Sequence, residues 1–141
     1  MVSAMARAPF RLVAPVVPEH PMHKAFAHVL TLEIAPAGMV SPTGVCWWSI
    51  DLSSYRGPMP RTHLERGCIP SIPDMFLLYL GRAHFIELKT QAGHLREDQR
   101  TLLSAIVGAG GRAAVITTTD HLLSLLDDWK IPRKHKLEPQ P

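Results

Sequence analysis

The stretch from Pro73 to Gln99 constrains the fold most, because it sets charged side chains inside a segment patterned as core. It reads Pro73-Asp74, the apolar run Met75-Phe76-Leu77-Leu78-Tyr79-Leu80, a turn at Gly81, then Ile86-Glu87-Leu88-Lys89 and, on the next helix, Gln99. Six apolar residues bounded by Pro73 and Gly81 have the length and punctuation of a strand buried on both faces. Gly81-Arg82 reads as a short turn, and residues 84–89 as the antiparallel partner strand. Side chains alternate along a strand, so Phe85, Glu87 and Lys89 share one face and His84, Ile86 and Leu88 the other. Glu87 and Lys89 therefore point the same way, about 7 Å apart at roughly 3.3 Å per residue. Asp74, at the start of the partner strand, meets them across the pair if the hairpin closes near Gly81.

These residue types suit metal-assisted chemistry on a phosphodiester. Magnesium is a hard cation that takes a few carboxylate oxygens and keeps several waters. Held by Asp74 and Glu87, it would acidify a bound water and polarise a phosphate oxygen. Lys89, a compact cation, could stabilise the extra negative charge of the transition state or orient the attacking water. Glu-x-Lys alone would equally suit an exposed ion pair, which contributes little.

The helix that follows is expected from residue 96 or 97 to about 109, before Gly110-Gly111. Leu95, Leu102, Leu103, Ile106 and Val107 form its apolar stripe, and Gln99 falls within it. A buried glutamine needs hydrogen-bond partners. It could bond back to its own helix start, as in a capping box, or face the pocket of Asp74 and Lys89; both can hold together.

Pro73-Asp74, Ile86-Glu87-Leu88-Lys89-Thr90, Gly93-His94-Leu95 and Gln99-Arg100 resemble the signature of the VRR-NUC domain, a family of the PD-(D/E)xK nuclease superfamily. The family pattern is roughly G-x-P-D, I-E-x-K, G-x-L-S-x-x-Q, then a glycine before a strand, and the similarity spans about residues 64–129. The resemblance implies a metal-dependent nuclease with a restriction-endonuclease-like core. It implies Asp74 and Glu87 as metal ligands, Lys89 as the catalytic lysine and Gln99 as the helix glutamine. The family's further acidic residue lies on the first helix, where Glu19 is the first candidate and Glu33 the second. Two positions depart from the pattern. Ser71 replaces the usual glycine, and Arg96 stands where a capping serine or threonine is usual. Loss of a good N-cap costs about 1 kcal/mol, and a cation sits badly against the positive helix end, partly offset here by Glu97 and Asp98.

The rest of the chain organises around this segment. Residues 1–17, rich in Ala, Val and Pro, read as a loose arm; arginines and prolines interrupt the run, so it makes a poor export signal. A first helix from residue 19 to about 34 carries Met22, Phe26, Val29 and Leu30 on one face. His20, His23 and His28 lie on it, but without a cysteine or carboxylate at ligand spacing they read as ordinary surface or core histidines. Residues 36–43 are a loop and 45–50 the first strand, with Trp47 and Trp48 on opposite faces. Core packing is the default for both, and the one off the core could stack on a base or pack at a subunit interface. Residues 53–66 read as a polar loop whose Arg56, Arg61 and Arg66 could contact phosphates. A buried strand at 113–118 and a last helix capped by Thr119 or Asp120, with stripe Leu122, Leu125, Leu126 and Trp129, complete a domain over residues 18–130. Residues 131–141 form a basic polar tail.

The element order α-β-β-β-α-β-α implies an α/β fold with a mixed central sheet flanked by helices. At 141 residues, 46% apolar and 19% charged, the chain suits one domain with a single core. A net charge of +3 is compatible with nucleic acid without requiring it. Cys46 and Cys68 are too few and too far apart for a metal motif, and with no export signal or membrane span a reduced, cytoplasmic protein is expected. The expectation is a Mg²⁺- or Mn²⁺-dependent DNA endonuclease. By the resemblance it would be a homodimer acting on branched DNA, as do small stand-alone members similar to Holliday-junction resolvases. The alternatives are a catalytically inactive nuclease-fold module that binds DNA or protein, and a nuclease acting on flaps, ends or RNA.

Overall fold

A computed structural model describes residues 19–50 and 58–136. The elements are α1 (Glu19–Glu33), β1 (Cys46–Ser49), α2 (Arg61–Glu65), β2 (Met75–Tyr79), β3 (Arg82–Leu88), α3 (Glu97–Gly108), β4 (Arg112–Ile116) and α4 (Thr119–Asp128). They form a mixed α/β fold around one four-stranded sheet in the order β1-β2-β3-β4. The first two pairings are antiparallel and β3–β4 is parallel. A parallel neighbour cannot follow through a tight turn, and α3 is the crossover that makes it possible. Where residues 53–66 read as loop, a one-turn helix, α2, follows Pro60 and is braced by Arg61–Glu65 at 2.9 Å.

The core lies on one face of the sheet. Met75 and Leu77 of β2, Ile86 and Leu88 of β3, and Ile116 of β4 meet Phe26 and Leu30 of α1 and Leu122 and Leu126 of α4. Trp47 joins them at 2% exposure, and its indole Nε1 donates to the Ala35 carbonyl at 2.6 Å, tying β1 to the chain leaving α1. Pro36 prevents α1 from continuing through that point. α4 is capped not by Thr119 or Asp120 but by Thr118, whose hydroxyl accepts from the His121 N–H at 3.1 Å. The chain after α4 does not leave the surface at once: Ile131 is buried, and Arg133 bridges Asp127 and Glu33.

β2 is not buried on both faces. Met75 and Leu77 are buried, Phe76 is half-buried and Leu78 is exposed. Among the described residues, α3 packs mainly against β4, at the other side of the sheet from β1 and β2. Trp48 is 40% exposed, so only one of the two tryptophans is core. The α3 stripe is correspondingly shallow: Leu102, Leu103 and Ile106 are half-buried, and the buried residue of the helix is Gln99.

The hairpin closes one residue earlier than Gly81-Arg82. Tyr79 pairs with Arg82, leaving Leu80-Gly81 as a two-residue loop with φ of 48° and 73°. Two positive φ values mark the tight turn whose twist matches the flanking strands. This closure fixes the register that assembles the site. α3 approaches β4 closely at Gly111, where a Cβ would lie 2.8 Å from Ile106 Cγ2. Among the described residues no helix is long and apolar enough to cross a membrane.

Candidate active site

Register brings the first two predicted groups together. Met75 pairs with Ile86, so one residue further Asp74 stands opposite Glu87. Partners directly opposite in a sheet share a face. β2 begins at Met75, and Asp74 just before it remains bonded to both neighbouring strands. Its carbonyl accepts from the Ile50 N–H at 2.7 Å, and its side-chain Oδ2 accepts from the Leu88 N–H at 2.7 Å. The second bond holds the carboxylate against β3 and fixes its orientation. Charge-assisted bonds of this kind are the stronger class.

Glu87 is the centre of the cluster. Its side chain is 5% exposed, its Oε1 accepts from Gln99 Nε2 at 2.9 Å, and the Lys89 ammonium lies 3.5 Å from the same oxygen with 13% of its side chain exposed. This differs from an exposed strand pair: a carboxylate so withdrawn from water needs charge and hydrogen bonds to remain ionised. Lys89 is fixed from behind, where its N–H donates to the Ile116 carbonyl of β4 at 3.0 Å. Gly93 folds back over its stem, so that a Cβ there would lie 3.5 Å from Lys89 Cδ and 3.1 Å from Thr90 Oγ1.

Gln99 serves both roles open to it. Its Oε1 accepts from the Arg96 N–H at 3.1 Å, which satisfies a free donor at the helix start, while its Nε2 donates to Glu87. Arg96 is a donor and cannot cap the helix with its side chain. Its guanidinium turns instead to Asp98, Nε to Oδ1 at 3.1 Å, which offsets its charge at the positive helix end and holds the Asp98 carboxyl below its usual range. Ser71 is buried on the approach to Asp74.

Of the other predicted groups, Glu33, Arg61 and Arg66 have partners of their own. Glu33, at the C-terminal end of α1, is engaged by Arg133 Nη1 at 3.1 Å and His135 Nδ1 at 3.1 Å. Burial works to raise its pKa, but the bonds from the His135 N–H, Arg133 and the His135 ring outweigh that and lower it. Glu19 opens α1, and its side chain lies outside the described residues, as does Arg56. Arg61 is paired with Glu65, and Arg66 donates to the Thr62 carbonyl at 3.2 Å. Cys46 and Cys68 are free thiols, half-buried.

Among the described residues no group of three or more His, Cys, Asp and Glu is placed to hold a metal ion. Asp74 and Glu87 nonetheless fit a hard divalent cation. They offer carboxylate oxygens from facing rungs of one hairpin, and magnesium habitually takes one or two carboxylates and completes its shell with water and phosphate.

Sequence reading missed one feature beside this cluster. Trp48 pairs with Phe76, and Phe76 with Phe85, so three rings form a row across β1, β2 and β3. The centroids are 4.3 Å and 5.0 Å apart, the first pair tilted and the second edge-on. The signal was present in the hairpin: once the loop is set at Leu80-Gly81, Phe76 must face Phe85. Compared with family models, with curated proteins and with solved structures, the chain has no match in any of the three.

Proposed function

We propose that this chain is a magnesium- or manganese-dependent DNA endonuclease built on a restriction-endonuclease-like core and similar to the VRR-NUC domain. Its substrate is branched DNA, which it cuts as a homodimer. The observation that carries the reading is that Gln99 and Lys89 both meet the buried Glu87 carboxylate, while the Asp74 carboxylate, just before β2, is held against the same strand by the Leu88 N–H. Burying a carboxylate and an ammonium together is costly where stability alone is served, so the arrangement points to chemistry.

Asp74 and Glu87 would hold the divalent cation, which would supply Lewis acidity toward the phosphate and make water a better nucleophile. The chain's own groups do the rest. Asp74, pinned through Oδ2 to the Leu88 N–H, presents its carboxylate in a fixed plane. Gln99 keeps Glu87 oriented. Lys89 has three donors and a fixed backbone, and its ammonium can donate to a non-bridging phosphate oxygen as negative charge builds there, or orient the attacking water. Groups held this firmly need no rearrangement at the moment of reaction.

The test is cleavage of labelled duplex, flap, single-stranded and four-way-junction DNA with Mg²⁺ or Mn²⁺, against a chelated control. Metal-dependent cutting that favours the junction supports the reading in full. Cutting of flaps, ends or RNA in preference keeps the nuclease and replaces the substrate. A folded protein that shifts DNA without cutting is the inactive binding module.

A further inference from the structure

We propose that Trp48 is a stacking platform for an unpaired nucleobase next to the scissile phosphate, so that the site takes single-stranded or splayed strands in preference to continuous duplex. This rests on the nuclease reading and adds the residue that selects the substrate. Trp48 is 40% exposed, whereas Trp47 beside it is 2% exposed in the core. The indole does not hang from a loop. It lies on β1, 4.3 Å from the Phe76 ring, which is in turn 5.0 Å from Phe85, so three strands support it. A platform already held in place costs little to order when a ligand binds.

Register ties this row to the carboxylates. Two residues from Phe76 along β2 is Asp74, and two residues from Phe85 along β3 is Glu87, on the same face as the rings. The two rows are therefore about 7 Å apart, and with about 4.8 Å between strands Trp48 stands about 8 Å from Asp74 and about 12 Å from Glu87 in the plane of the sheet, a span that suits a base adjoining the scissile phosphate. Aromatic rings accept any base by its face, and such stacking is sequence-tolerant. Bases inside an intact duplex are already stacked and cannot reach the ring, so the platform favours strands that are unpaired or opened at a branch. The net charge of +3 and pI near 9.1 suit a polyanionic strand.

The experiment measures binding of a fluorescein-labelled thymidine oligonucleotide and of a duplex of equal length to the full chain in chelator, so that no cutting occurs. It is repeated for Trp48→Ala and Trp48→Phe, with cleavage and sedimentation recorded for each protein. The expected result is a fall of about tenfold in the ratio of single-strand to duplex affinity for Trp48→Ala, with the ratio largely kept by Trp48→Phe. An unchanged ratio in Trp48→Ala, with the parent protein binding and cutting DNA, overturns the stacking role and leaves the nuclease standing. A shift of Trp48→Ala from dimer to monomer with an unchanged ratio assigns the face to a contact between copies and also overturns it. A parent protein that neither binds nor cuts nucleic acid overturns the nuclease reading and this inference with it.

Discussion

Gln99 Nε2 donates to Glu87 Oε1 at 2.9 Å in a buried setting, joining the first turn of α3 to the centre of the sheet. The same amide accepts from the Arg96 N–H, so one side chain starts the helix and fixes a carboxylate. A hydrogen bond to a charged group contributes roughly 1.5–3 kcal/mol. Gln99→Ala should lower unfolding free energy by about 2 kcal/mol in urea titration. Gln99→Glu should cost at least as much at neutral pH, because it sets a second carboxylate against Glu87.

Asp74→Asn separates structure from chemistry. The amide oxygen can still accept from the Leu88 N–H, so the hairpin end should stay closed and thermal unfolding move little. The lost charge should weaken Mn²⁺ affinity at least tenfold in calorimetric titration. Unchanged affinity would remove Asp74 from the ligand set.

Leu80 is 84% exposed at φ 48°, a conformation that costs a branched side chain roughly 1–2 kcal/mol. Leu80→Asn places Asn-Gly in the turn, the pair such two-residue loops favour. It should raise stability by about 1 kcal/mol and the midpoint of thermal unfolding by several degrees. No change would mean that the native turn carries no strain.

Stability should fall on acidification in two stages. His84 is buried beside Trp129, and that burial lowers its pKa from 6.5. Below about pH 6.5 the unfolded chain takes up a proton that the fold refuses, so stability declines from there towards the folded pKa. Glu33 and Asp127, paired with Arg133, both have lowered pKa values, from 4.5 and 3.8. Their contribution is present above those values and is lost as pH falls through the folded ones. In urea titrations across pH, His84→Phe should remove the first stage, and Arg133→Ala should shrink the second while leaving the part that Glu33 owes to His135 and Asp98 to Arg96.

Much of this was readable in advance, for physical reasons. The hairpin, the carboxylate pair and the Glu87–Lys89 face follow from strand alternation, which is a strict period of two. Gln99 stood out because an amide in an apolar stripe must find partners. What stayed hidden depends on tertiary packing. The burial of Phe76 and Leu78 hinges on where α3 lands, and that is set by β4 rather than by the β2 sequence. The pairing of Glu33 with Arg133 left no trace in helical spacing, because the two are 100 residues apart. α2 is too short and too exposed to leave a periodic signal.

The central claim is that Lys89 acts on a phosphodiester rather than only balancing Glu87. The most direct measurement is DNA cleavage by Lys89→Ala beside the parent protein, at equal Mg²⁺, with circular dichroism and DNA binding recorded on the same samples. Cleavage abolished in a variant that stays folded and keeps most of its DNA binding is the predicted result. Cleavage that persists in the folded variant would contradict the account, and equal loss of fold and cleavage would place Lys89 among the residues that serve stability.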